Sequence, residues 1–159
     1  MPARFREQRA AYGTRLPGPL YCDTSALIKL FLSEPGSAEF TGIVRGRADL
    51  LVSDLAITEA ASAISRRVRQ GATTLEEARR AQHTIIESLD GAPYLRVELT
   101  REVHRRAERL LLTLTNIPLR AADALHLALA LSARAASLAS FDMRLATAAR
   151  AVGLAAYTG

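Results

Sequence analysis

Leu-Arg-Ala-Ala-Asp-Ala-Leu-His-Leu-Ala-Leu-Ala-Leu, residues 119–131, decides how the rest of this chain folds. Wound as a helix it is apolar around nearly its whole circumference, and such a helix belongs in a core, covered on most sides. Asp123 falls within its first turn or two. A carboxylate buried without a partner is expensive, because ionisation in a poorly solvated place lacks compensating water. It needs a metal ion, a cation, a strong set of donors or a bound proton. Just downstream, Ala-Ala-Ser-Leu-Ala-Ser-Phe-Asp (135–142) reads as a short buried strand followed by a second acid, Asp142. An acid just past a strand end faces a cleft in an α/β sheet. Two such acids meeting at one spot are the start of a metal site.

Elsewhere strands and helices alternate. Residues 20–22 form an apolar strand ending at Asp23, and a helix runs through 26–32 to the stop signal Ser33-Glu34-Pro35-Gly36. Ser37 caps a second helix to residue 44. Residues 50–53 form a second strand, and Ser53 or Asp54 caps a long helix stopped by Gly71. Thr73 or Thr74 opens the next helix, with Glu76 and Glu77 in its first turn, favourable to the helix dipole. Residues 94–99 form a third strand, Thr100 caps a helix to 114, and Asn116-Ile117-Pro118 breaks it. The apolar helix spans 120–133, a fourth strand 137–140, a last helix 142–152 closed by Gly153, and a final strand 154–157. This alternation predicts one α/β domain from residue 20 onward, with a mostly parallel sheet of four to five strands between two layers of helices.

Length and composition narrow the class. The chain has 159 residues, enough for a substantial core, with 49% hydrophobic and 23% charged residues. No apolar run approaches the roughly 20 residues that span a bilayer. Cys22 is the only cysteine, so an intramolecular disulfide and cysteine-rich zinc sites are excluded. With no apolar leader at the N-terminus, a cytoplasmic protein is expected. The net charge of +5 points to an anionic partner. Residues 1–19, read as a flexible basic arm, carry +3 of it, from Arg4, Arg6, Arg9 and Arg15 against Glu7.

Four acids draw attention together. Asp23 and Asp142 are placed to cap the helices that follow them. Asp123 is placed to pair with Arg120. Glu59 lies on the third helix, away from the Ile57, Ile64 and Val68 face and beside small residues. Its neighbours three and four positions away include no cation. His126, one turn beyond Asp123, reads as a hydrogen-bonded core residue rather than a ligand. Carboxylates crowded at strand ends repel one another, and a hard divalent cation removes that penalty. An all-oxygen set suits Mg²⁺, with Mn²⁺ as substitute, and is the usual apparatus of phosphoryl chemistry. Arg66, Arg67, Arg69, Arg101, Arg105 and Arg106 are candidate phosphate contacts, with a solvated helix face as the plain alternative.

Four segments resemble one family. Tyr-Cys-Asp-Thr-Ser-Ala-Leu-Ile-Lys-Leu-Phe-Leu-Ser-Glu-Pro-Gly-Ser (21–37) looks like the opening of a PIN domain of the VapC toxin type. Thr-Glu-Ala-Ala-Ser-Ala (58–63), Leu-Arg-Ala-Ala-Asp-Ala-Leu-His-Leu-Ala-Leu-Ala (119–130) and Ala-Ser-Phe-Asp-Met-Arg-Leu (139–145) resemble its second, third and fourth acidic motifs, in order. The resemblance implies a PIN-like three-layer fold and a Mg²⁺-dependent endoribonuclease, the toxin of a toxin–antitoxin pair. Asp23, Glu59, Asp123 and Asp142 match the family's metal-binding acids, and Ser140 its hydroxyl residue two positions before the last acid. The partners it implies are tRNA or ribosomal RNA as substrate, a VapB-like antitoxin and a second copy in a homodimer, with no membrane. The arm at 1–19 departs from the family pattern. Two other readings stand beside it. One is a catalytically silent PIN domain that only binds nucleic acid or an antitoxin. The other, a receiver-like phosphoacceptor, wants a lysine after a late strand, whereas the sole lysine, Lys29, lies in the first helix.

Overall fold

The computed structural model describes residues 16–159. Twelve elements lie along them: β1 (Leu20–Cys22), α1 (Thr24–Phe31), α2 (Ser37–Val44), β2 (Leu50–Ser53), α3 (Asp54–Arg69), α4 (Leu75–Leu89), β3 (Tyr94–Val97), α5 (Arg101–Thr113), α6 (Ala121–Ser132), β4 (Ser137–Ala139), α7 (Met143–Ala151) and β5 (Ala155–Tyr157). The five strands form one sheet in the order β3-β2-β1-β4-β5, and every pairing is parallel. The expected α/β architecture is therefore present, with β1 at its centre.

Side chains alternate across the sheet, as the pleat requires. Leu20, Cys22, Leu50, Val52 and Ala139 pack with α1 to α4 on one face, around Leu27, Phe40, Ile57, Ile85 and Leu89. Tyr21, Leu51 and Leu138 point the other way, into α5, α6 and α7, around Val103, Leu127, Leu129 and Leu145. The helix read as a core element is one: Ala124 and His126 to Ala130 are all buried. No helix of the described residues is long and apolar enough to cross a membrane.

Several boundaries differ for local reasons. Gly36, not Ser37, caps α2, with φ +86° and no side-chain cap. The Ser37 hydroxyl instead donates to the Leu32 carbonyl and accepts from the Glu34 amide, closing the loop behind it. β3 ends at Val97 rather than 99, β4 at Ala139, and β5 begins at Ala155. Ser53 caps α3, and Thr74 opens α4 with a full capping box to Glu77. The expected arm lies mostly outside the described residues. Its last part is tied to the body, since the Leu16 carbonyl accepts from Arg47 Nη1 at 2.9 Å and the Pro19 carbonyl from the amides of Ala136 and Ser137.

Candidate metal centre

In a parallel sheet the loops after the strands gather at one edge, where functional groups collect. β1 runs into Asp23 and α1, β2 into α3 with Glu59, and β4 into Ser140, Asp142 and α7. The start of α6 brings Asp123. A cleft of about 320 Å³ is lined by all four acids, together with Thr24, Ser25, Ile28, Ser62, Ala63, Arg66 and His126.

Asp23 is 4% exposed and sits where β1 breaks into α1. Its Oδ1 accepts from the Ala26 amide at 2.9 Å, capping the helix, and from the Ser25 hydroxyl at 2.6 Å. Its Oδ2 accepts from the Ser140 hydroxyl at 2.6 Å. Burial pushes the carboxyl above its ordinary range, and the Ser140, Ser25 and Ala26 donors pull against that shift. The same hydroxyls bind the next loop. Ser140 Oγ accepts from the Asp142 amide at 3.0 Å, and Ser25 Oγ from the Phe141 amide at 2.8 Å. The first and last acidic segments are thus sewn together through two serines.

Asp142 caps α7 by accepting from the Arg144 amide at 2.8 Å and lies 3.1 Å from Arg144 Nη2. The Arg144 hydrogen bond holds its carboxyl below the usual range, against a smaller desolvation penalty. Asp123 lies less deep than the apolar helix around it suggests. It is only half-buried, because the first turn of α6 emerges at the cleft before the helix enters the core. Its Oδ2 accepts from the Arg120 backbone amide at 2.9 Å, so Arg120 serves it through its N–H.

Glu59 is held differently. Its side chain is 34% exposed, and its Oε2 lies 2.6 Å from His126 Nε2. The Thr24 hydroxyl donates to the same oxygen. The His126 hydrogen bond draws the Glu59 carboxyl below its ordinary range, opposed by partial burial and helped by Thr24. Sequence reasoning kept His126 as a hydrogen-bonded core residue, which it is. It did not reach Thr24 or His126 as partners of an acid. The available signal was that His126 stands three residues from Asp123 and so shares its helix face.

Among the described residues, no three His, Cys, Asp or Glu side chains stand grouped closely enough to hold a metal ion as placed. Each acid instead leans toward a protein donor. The donor set still suits a hard divalent ion: it is all carboxylate and hydroxyl oxygen, and Glu59 Oε1 and Asp123 Oδ1 accept no hydrogen bond from the described residues. Of the candidate arginines, Arg66 lines the cleft, while Arg67 pairs with Glu34, Arg69 bonds Ser65, and Arg105 pairs with Glu108.

Comparison with curated protein sequences found no match. The fold is similar to that of Mycobacterium tuberculosis VapC20, a sarcin–ricin loop cleaving toxin, with TM-score 0.66 and 14% identity, covering 82% of this chain and 95% of that one. It is also similar to VapBC2 from Rickettsia felis bound to a promoter DNA fragment, at TM-score 0.59, 11% identity, and 87% and 96% coverage. A toxin–antitoxin complex from Klebsiella pneumoniae gives TM-score 0.56 and 15% identity, with 78% and 87% coverage. The PIN domain family model matches residues 20–151, a span that runs from β1 through all four acids to the end of α7. With its sheet, its cleft and that match in agreement, the chain belongs to the PIN domain family.

Proposed function

We propose that this PIN domain is a divalent-metal-dependent endoribonuclease of the VapC type, the toxin of a toxin–antitoxin pair. The observation that carries the reading is the convergence of Asp23, Glu59, Asp123 and Asp142, remote in sequence, on one cleft at the sheet edge. Crowded carboxylates of that kind are relieved by a hard cation, and Mg²⁺ or Mn²⁺ suits an all-oxygen set. Asp23, Asp123 and Asp142 hold the ion, with Glu59 beside it directly or through water. When bound, the ion supplies a nucleophile at neutral pH and offsets the charge that develops on an RNA phosphate.

The chain's own groups do the rest. Ser140 and Ser25 keep Asp23 in one rotamer. Arg66, at the cleft wall, takes a phosphate next to the cut. Fold relatives that are toxins or toxin–antitoxin complexes favour a VapB-like antitoxin as the partner.

The test is direct. The purified chain is incubated with tRNA and ribosomal RNA, with Mg²⁺, with Mn²⁺ or with a chelator. Cleavage with the metal, leaving 5′-phosphate and 3′-hydroxyl ends, supports the reading. Asp123→Asn folds normally and does not cut. Equal cleavage by that variant, or none by the wild type with either ion, sinks the proposal.

A further inference from the structure

Tyr21 occupies the middle of β1 and is fully buried, on the sheet face covered by α6. Its hydroxyl lies 2.9 Å from Ser53 Oγ, at the end of β2, and 2.8 Å from His126 Nδ1. The imidazole is 3% exposed and meets the phenol ring edge-on, with centroids 5.9 Å apart. Its other nitrogen reaches Glu59. A continuous row of side chains therefore runs from the end of β2, through the sheet centre, to the cleft.

Every member of the row is satisfied in one arrangement. Ser53 Oγ accepts from the Ala56 amide at 3.3 Å and donates to Tyr21. Tyr21 donates to Nδ1. The ring then carries a hydrogen on Nε2 and gives it to Glu59 Oε2, where the Thr24 hydroxyl also donates. Both donors take the same oxygen, and Oε1 is left without a donor among the described residues. Two hydroxyls and an imidazole are a costly way to fill a core that aliphatic side chains could fill as well. Their common endpoint is the one acid that no helix start supports.

We propose that His126 is a positioning residue for the cleft: backed by Tyr21 and Ser53, it fixes Glu59 through Oε2 and leaves Oε1 for the cation or its water shell. This rests on the metal-dependent reading of the site and assigns it an outer layer. Hydrogen-bond partners of metal-site carboxylates orient the ligands and are worth about tenfold to a hundredfold in metal affinity.

The measurement is Mn²⁺ binding to the metal-free full chain by calorimetry, without RNA. His126→Leu weakens binding by about tenfold to a hundredfold. Tyr21→Phe, which only loosens the ring, weakens it less. His126→Gln, which keeps an N–H toward Glu59, recovers part of the loss. In a Glu59→Gln background the same His126 changes cost nothing further. In RNA cleavage these variants lower kcat and leave KM for RNA unchanged. Circular dichroism checks each fold; should His126→Leu not fold, Tyr21→Phe and His126→Gln carry the same comparison against Glu59→Gln. Unchanged affinity, or effects that simply add to that of Glu59→Gln, overturns the positioning role. A wild type that binds no Mn²⁺ refutes the metal reading itself, and the role with it.

Discussion

Three of the cleft acids stand at helix starts, and the fourth stands inside a helix. Asp23 and Asp142 cap α1 and α7, and Asp123 is the third residue of α6. Each accepts a backbone N–H within three residues, at the end of a helix where the dipole favours negative charge. Glu59 is the sixth residue of α3, where the backbone amides are already spent on the helix. It is held by Thr24 and His126, from α1 and α6. The first group is placed by local structure. The fourth is placed by tertiary packing, through Thr24 and His126 at the cleft wall and through Tyr21 and Ser53 behind them, which do not line the cleft.

The largest expected effect comes from the buried member of the first group. Asp23→Asn takes the charge from an acid proposed to hold the ion but keeps a side-chain oxygen that can cap α1. RNA cleavage falls by more than about a hundredfold, since a ligand matters more than the partners around it. In the metal-free protein at neutral pH, relief of the buried charge is set against the loss of the acceptor for the Ser140 hydroxyl, so stability stays close to that of the wild type. Urea unfolding of the metal-free chains checks this. A marked loss of stability would mean that the ionised carboxylate, and not only its shape, holds β1 to α1.

Ser140→Ala tests the seam between the first and last acidic segments. It leaves Asp23 Oδ2 without a donor in a buried place, at a cost of about 1–3 kcal/mol. It also frees the Asp142 amide. Cleavage drops by about tenfold to a hundredfold, and Ser140→Thr, with the hydroxyl kept, restores most of it. If Ala matches Ser in both stability and rate, the seam is only packing, and the first group owes its order to helix starts alone.

Local placement was legible in the sequence, and tertiary placement was not. A short apolar run, an acid and a new helix mark Asp23 and Asp142, and Thr73 or Thr74 ahead of Glu76 and Glu77 marks the start of α4, where the structure selects Thr74 with Glu77. The parallel α/β class followed from the alternation, but the order β3-β2-β1-β4-β5 had no local trace. The apolar circumference of α6 gave its burial correctly. It did not say where the helix surfaces, so Asp123 was expected deeper than it lies. Ser37 looked like a cap, yet its hydroxyl turns back to Leu32, and a left-handed glycine makes the corner instead. Apart from the family motif at 58–63, Glu59 is marked in the sequence only by its small neighbours and missing cation. Its partner His126 is 67 residues away and Tyr21 lies 105 from His126, separations that no periodicity encodes.

The smallest effect is also the cleanest division between the two kinds of acid, because its sign differs. The folded pKa of Asp23 is raised, chiefly by burial, so the fold prefers that group protonated. Its contribution to stability is unharmed at low pH and worsens as pH climbs through the carboxylate range toward the folded value. The folded pKa of Glu59 is lowered, chiefly by the His126 hydrogen bond. Its contribution is present above the unfolded glutamate value and disappears as pH falls through the folded one. In metal-free protein, Asp23→Asn should therefore raise the neutral end of the stability–pH curve relative to the acid end. Glu59→Gln should lower the neutral end and leave the acid end where it was. Denaturant midpoints across that pH range read both slopes. If the two variants tilt the curve the same way, Glu59 is no better paired than Asp23, and the histidine row does not set it apart from the acids at the helix starts.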